Sequence, residues 1–217
     1  MRSLTVGEPP ADVPSPSAAP VARDVFRRAW TELEREIREC TRCPLHANRT
    51  NAVIYRGSDA PRLVFVGEAP GATEDREGVP FVGRSGKRLD SAIVEMGLRA
   101  EEFGVLNLVK CRPPRNVFVR SAAATCAPYL DRQLALLRPT ILVPLGAEAL
   151  RSLDPEAPRI LLAAGRPRRR DGRQVFPLIH PAASLRSRAL AERWQADVRA
   201  LGVWLSRPSD PSAREPL

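Results

Sequence analysis

Two groups of side chains in this chain have the types and spacing to do chemistry. The first is a set of thiols. Cys40-Thr41-Arg42-Cys43 is a C-x-x-C at the end of a helical pattern, and Cys111 and Cys126 follow far downstream, flanking a Pro/Arg-rich segment. Four thiolates can close a tetrahedral zinc site or hold a [4Fe–4S] cluster. Zinc ribbons usually show two tight knuckles, whereas the second pair here is wide. Clusters tolerate scattered ligands, so iron–sulfur is preferred. Buried free cysteines fit less well, because all four lie beside turns or prolines.

The second group is an acidic loop and two polar residues that follow apolar runs. Leu63-Val64-Phe65-Val66 stops at Gly67, and Glu68-Ala69-Pro70-Gly71-Ala72-Thr73-Glu74-Asp75 follows. Pro80-Phe81-Val82-Gly83 then leads into Arg84-Ser85-Gly86, where a helical pattern opens. A buried strand running into such a loop puts polar groups at the carboxyl edge of a sheet, where open α/β sheets bind ligands. Glycines there let the backbone approach a ligand closely. The stretch lacks the spacing of a dinucleotide fingerprint or a P-loop, so alone it marks an α/β ligand loop and no more.

Asn107, in Asn107-Leu108-Val109-Lys110-Cys111, ends a second apolar run. Its amide offers a donor and an acceptor, which suits the O4/N3 edge of a pyrimidine. Standing alone, it reads as a turn-capping side chain. His180, in His180-Pro181-Ala182-Ala183-Ser184, follows a further strand and can donate to an oxygen that gains negative charge. The only other histidine, His46, reads as a surface residue near the thiols.

The elements that must position these groups alternate. Val25, Ala29, Leu33 and Ile37 space an amphipathic helix ending near Glu39. Strands are expected at Arg62–Val66, Val105–Val109, Thr140–Leu145 and Val175–Ile179. Helices are expected through Leu89–Leu98, over Ala122–Leu137, from Gly146 to Leu153, and over Leu190–Leu205. This alternation argues a parallel sheet covered on both faces. Gly165–Arg173, with five arginines, reads as a solvated turn, with phosphate contact secondary.

Residues 1–20 and 206–217 are Pro-rich and expected to be disordered tails around one domain over residues 21–205. The 217 residues carry a net charge of +9, almost all of it arginine, which gives a polyanionic partner a modest edge. No segment is apolar enough for a membrane helix, and the N-terminus has no signal-peptide core, so a cytoplasmic protein is expected.

Taken in order, C-x-x-C, Gly-Glu-Ala-Pro-Gly, Pro-Phe-Val-Gly, Asn-Leu-Val-Lys-Cys-Arg-Pro-Pro, Cys and His-Pro-Ala-Ala resemble the family-4, iron–sulfur uracil-DNA glycosylases. The resemblance runs from Cys40 to Leu205. It implies a three-layer α/β/α fold with a central four-stranded parallel sheet, and a monomer acting on uracil-containing DNA. It further implies a [4Fe–4S] cluster on Cys40, Cys43, Cys111 and Cys126. Gly67, Glu68, Ala69, Pro70 and Gly71 would line the uracil pocket. Glu74 would position the attacking water or close off the thymine methyl. Phe81 would stack on the flipped base, Asn107 would read its edge, and His180 would bind uracil O2. Gly83, Arg84, Ser85, Ser184, Leu185 and Arg186 would meet the DNA. The chain departs from the family at Val117–Ser121, which is more apolar, and at Ser184, where the family has Leu; Leu185 is then the remaining duplex wedge.

Neither lysine, Lys87 nor Lys110, is placed for a Schiff base, which favours a monofunctional enzyme leaving an abasic site. Two other functions compete with this. One is a superfamily member that grips uracil-DNA without turnover; some relatives do so through a His after the Asn strand, and no His lies between His46 and His180. The other is an iron–sulfur electron carrier, which would not need Phe81, Asn107 and His180 in that order.

Overall fold

A computed structural model describes residues 20–207. The expected tails therefore lie, apart from residues 20, 206 and 207, outside the described residues. In chain order the helices are α1 (Pro20–Arg38), α2 (Ala72–Glu77), α3 (Arg84–Glu95), α4 (Arg120–Leu137), α5 (Ala147–Leu153), α6 (Ile160–Ala163), α7 (Pro181–Ser184) and α8 (Arg188–Leu205). The strands are β1 (Arg56–Gly57), β2 (Leu63–Gly67), β3 (Phe103–Asn107), β4 (Ile141–Pro144), β5 (Arg168–Arg170) and β6 (Arg173–Val175).

They form one six-stranded sheet in the order β1-β3-β2-β4-β6-β5. The middle four strands are parallel, and β1 and β5 add antiparallel edges. The expectation of four strands thus corrects to six. The edges were illegible because strands of two and three residues are too short and polar to show a period of two. The fourth parallel strand also begins earlier than expected, at Arg173, and beyond Val175 only an isolated bridge between Leu145 and Leu178 continues the pairing.

Alternation along β2 builds the layers. Leu63 and Phe65 join a core with Leu89, Trp194, Val198 and Leu201, so α3 and α8 cover that face. Val64 and Val66 join Phe26, Leu33, Ile37, Leu130 and Leu134, so α1 and α4 cover the other. Because parallel strands are buried on both faces, every residue of β2 and β4 is buried. In α1 the inward residue of the first turns is Phe26, while Val25 stays exposed. The Arg-rich stretch is a β5–β6 hairpin turning at Asp171 and Gly172, both at positive φ. Two of its arginines are paired: Arg168 with Asp154 at 2.8 Å and Arg170 with Glu156 at 2.8 Å. No helix among the described residues is long and apolar enough to cross a membrane.

Candidate functional site

The four parallel strands end on the same side, which gathers Gly67, Asn107, the turn after β4 and His180. The gathering is tight. A Cβ built on Gly67 would lie 2.4 Å from Asn107 Oδ1 and 2.5 Å from two ring atoms of Phe81. The amide and the ring can close so tightly on residue 67 only because it has no side chain. The Phe81 and His180 rings are 5.9 Å apart between centroids, inclined by 34°. Gly146, at φ 92°, passes beneath His180, and a Cβ there would lie 3.0 Å from the His180 Cβ. The result is a slot walled by an aromatic ring, an amide and an imidazole.

Phe81 is held in this slot against its backbone preference. Its φ is 56°, a left-handed value that a bulky residue adopts only when its surroundings impose it, at a cost of order 1–3 kcal/mol. Gly86 is part of what imposes it. A Cβ there would fall 1.9 Å from the Phe81 carbonyl oxygen, so only glycine lets the first turn of α3 pack so close. Glu74 on α2 is the other part. Its Oε1 accepts the amides of Val82 at 3.1 Å and Gly83 at 2.8 Å, clamping the two residues after Phe81. One oxygen of the carboxylate expected to position water, or to close off the thymine methyl, is thus bonded to the loop that carries Phe81.

Asn107 is 1% exposed, and its Oδ1 is buried without a partner. A buried acceptor with no donor costs roughly 1–3 kcal/mol, so this oxygen is a group that the fold itself leaves unpaired. His180 is the N-cap of α7, and its Nδ1 accepts the Ala182 amide at 3.1 Å. That bond requires a lone pair on Nδ1, so the ring is neutral and its proton sits on Nε2. Burial, and secondarily the Arg186 charge, pushes the imidazole down to about 4, which keeps it neutral. Burial, and then Glu148, raises the Glu68 carboxyl above its ordinary value. Among the described residues that carboxylate has no hydrogen-bond partner, in contrast to Glu74.

The rest of the loop is divided. Ala69 packs beside Leu45, Val109 and Cys111, on the thiol side of the sheet edge. Pro70 is buried, and Gly71 is the N-cap of α2. Gly83 is the N-cap of α3 without a side-chain cap, and Arg84 is exposed beside half-buried Ser85. Beyond α7, Leu185 is 44% exposed and Arg186 is exposed. Ser184 corrects the expectation of a DNA contact: it is buried, and its hydroxyl donates to the Pro181 carbonyl at 2.7 Å. The family's Leu position is here an inward helix brace.

The four cysteines, brought from the end of α1, the segment after β3 and α4, line one pocket with Arg42, His46, Arg49 and Lys110. No three His, Cys, Asp or Glu side chains among the described residues form a group that holds a single metal ion. Arg49 donates to Cys111 Sγ at 3.1 Å and also to the Arg38 carbonyl. Arg42 lies over the Tyr129 ring at 5.0 Å. Burial raises the Cys111 thiol, opposed by Arg49, and raises the Cys126 thiol, opposed by Lys110. Sequence reasoning missed Gly86, Gly146, Arg49 and the buried Lys110 as parts of these sites. Gly146 and Arg49 matter through distant partners, His180 and Cys111, while Gly86 and Lys110 act on near neighbours, Phe81 and Asn107, in ways that no residue pattern announces.

The chain matches a family model, the uracil DNA glycosylase superfamily, over residues 54–200. Among curated proteins it is 41% identical to a type-4 uracil-DNA glycosylase of Thermotoga maritima, over 70% of this chain and 81% of the relative. It is 38% identical to one of Archaeoglobus fulgidus, over 79% and 90%, and 40% identical to one of Pyrobaculum aerophilum, over 83% and 97%. The chain belongs to the uracil-DNA glycosylase superfamily, in its type-4 branch. The superfamily match spans the whole slot, from the β2 edge through His180, together with Cys111 and Cys126. Cys40 and Cys43 precede it, so half of the thiol set lies outside the segment shared across this glycosylase superfamily.

Proposed function

We propose that this chain excises uracil from DNA, hydrolysing the N-glycosidic bond to leave free uracil and an abasic site. The observation that carries the reading is the grouping at the strand ends: the Phe81 ring, an unpaired buried Oδ1 of Asn107, and a neutral His180 with Nε2–H to donate. A flipped pyrimidine matches each of these. Phe81 stacks on the face of the base. The Asn107 acceptor takes uracil N3–H, and its amide NH₂ reaches O4; cytosine presents an unprotonated N3 and an amino donor there, which opposes both contacts. His180 donates to O2, where charge gathers as the bond to the sugar breaks.

A donor aimed at developing charge is worth about 2.7–4 kcal/mol in comparable sites. A neutral imidazole suits this leaving group, because it stabilises the anion without competing to protonate it. The attacking water needs a carboxylate, and we assign it to Glu68 rather than Glu74. Glu68 is without a hydrogen-bond partner and raised by burial, whereas Glu74 has Oε1 taken by two amides. Lys110 is buried on the thiol side and Lys87 is exposed on α3, which supports a monofunctional enzyme. Exposed Arg84 and half-buried Ser85, which follow Gly83 at the start of α3, suit a DNA phosphate, and Leu185 and Arg186 suit the duplex.

The thiol pocket fits a [4Fe–4S] cluster: four cysteines from three separate elements open on one space, and Arg42, Arg49 and Lys110 supply cations for an anionic tetrathiolate group. When bound, such a cluster ties α1, the segment after β3 and α4 together. The test of the function is release of free uracil from a labelled uracil-containing oligonucleotide. Binding without release would support a non-excising binder, and neither would leave an iron–sulfur carrier.

A further inference from the structure

Among the described residues, Lys110 is the largest charged side chain sealed from solvent, at 1% exposure. It stands between two sites. Its side chain lines the thiol pocket, and its Nζ donates to the main-chain carbonyl of Asn107 at 2.6 Å. We propose that Lys110 is a positioning residue that couples the thiol pocket to the base-reading amide of Asn107, so that a filled pocket sets how Asn107 faces uracil. The inference rests on the functional reading above.

Three observations carry it. A buried ammonium is stable only among anions or hydrogen-bond acceptors. The anionic groups around Lys110 are Cys126, Asp131 and Cys111, two of them thiols that carry charge once they ligate metal. The turn it spans is otherwise fixed to the sheet edge. Leu108 N–H bonds Gly67 O at 2.9 Å, Val109 N–H bonds Glu68 O at 3.2 Å, and Lys110 O accepts Val53 N–H at 2.8 Å. Finally, the carbonyl that Lys110 holds belongs to Asn107 itself, whose side-chain Oδ1 has no partner. A tilt of that peptide would swing the amide within the slot.

The experiment compares the iron-loaded parent with Lys110→Met, Lys110→Gln, Asn107→Ala and the Lys110→Met/Asn107→Ala pair. Iron content and visible absorbance are measured first. Equilibrium binding of free uracil and the ratio of uracil to cytosine excision follow. Lys110→Met should load iron as the parent does, bind uracil about ten- to a hundredfold more weakly, as expected for a buried hydrogen bond to a charged donor, and show a lower uracil-to-cytosine ratio. In the Asn107→Ala background the same substitution should change uracil binding little, because the two act through one group. Lys110→Gln, uncharged and shorter, should fall between; it also carries the test if the Met variant does not fold, since parental uracil affinity in it refutes the coupling. Additive losses in the double variant, parental affinity in Lys110→Met, or failure of a folded Lys110→Met to take up iron would each overturn the proposal. A parent that excises no uracil would instead overturn the functional reading beneath it.

Discussion

Replacing His180 with Ala tests the chemical centre and separates two contributions. The first is structural. His180 caps α7 through Nδ1, and losing a side-chain cap costs about 1 kcal/mol of stability. The second is kinetic. Loss of the Nε2–H donor should raise the barrier by about 2.7–4 kcal/mol, or about 100- to 1,000-fold in single-turnover uracil release. Binding of a uracil duplex should weaken far less, because the contact strengthens mainly as charge develops. The protonation state is checked independently. The chain has two histidines, so ring resonances followed by NMR report His180 almost in isolation. It should remain neutral with the proton on Nε2 from pH 8 to about 5 and titrate near 4. The same shift has a consequence for stability. Between pH 6.5 and about 4 the unfolded chain takes up a proton that the folded chain refuses, so this group's stabilisation falls as pH drops through that window and changes no further below it. The full effect is on the order of 3 kcal/mol, and His180→Ala should remove it. A His180 that titrates near 6.5, or an Ala variant with parental single-turnover rate and weakened binding, would refute the assignment.

Other substitutions should follow from the packing. Gly67→Ala places a methyl group in the slot 2.4 Å from Asn107 Oδ1, so it should fold with a penalty of about 1–3 kcal/mol, read by chemical denaturation, yet lose most uracil excision. Glu74→Gln keeps an acceptor for the Val82 and Gly83 amides and should retain most activity, whereas Glu74→Ala should lose both activity and stability; Glu68→Gln should abolish turnover while leaving uracil binding intact. Equal inactivity of the two Gln variants in a single-turnover assay would return the water to Glu74. Protein purified without oxygen should carry about four irons per chain and bleach on chelation, and Cys111→Ala should lower both iron content and melting temperature; stoichiometric zinc would contradict the cluster.

The chain's local chemistry decided much of this protein in advance. Apolar runs ending in polar or glycine residues marked Gly67, Asn107 and His180, because a parallel strand buried on both faces must stop where its ligand edge begins. The C-x-x-C and its two distant partners suggested through residue type alone that they act together, and the fold brings the four thiols to one pocket. What the sequence could not carry were contacts that form only in the fold, even between residues a few positions apart. The Glu74 carboxylate reads as free in sequence and proves to be bonded across eight and nine residues. Ser184 sits in a DNA-facing motif and turns inward to Pro181. The two edge strands were too short for any period to reveal. Phe81 is held in a strained conformation because Gly86 lets a helix press against it, and His180 is neutral because packing strips its water. Residue types and spacing set which groups can react. Close approach and desolvation, which exist only once distant segments meet, decided how those groups are aimed and which protons they keep.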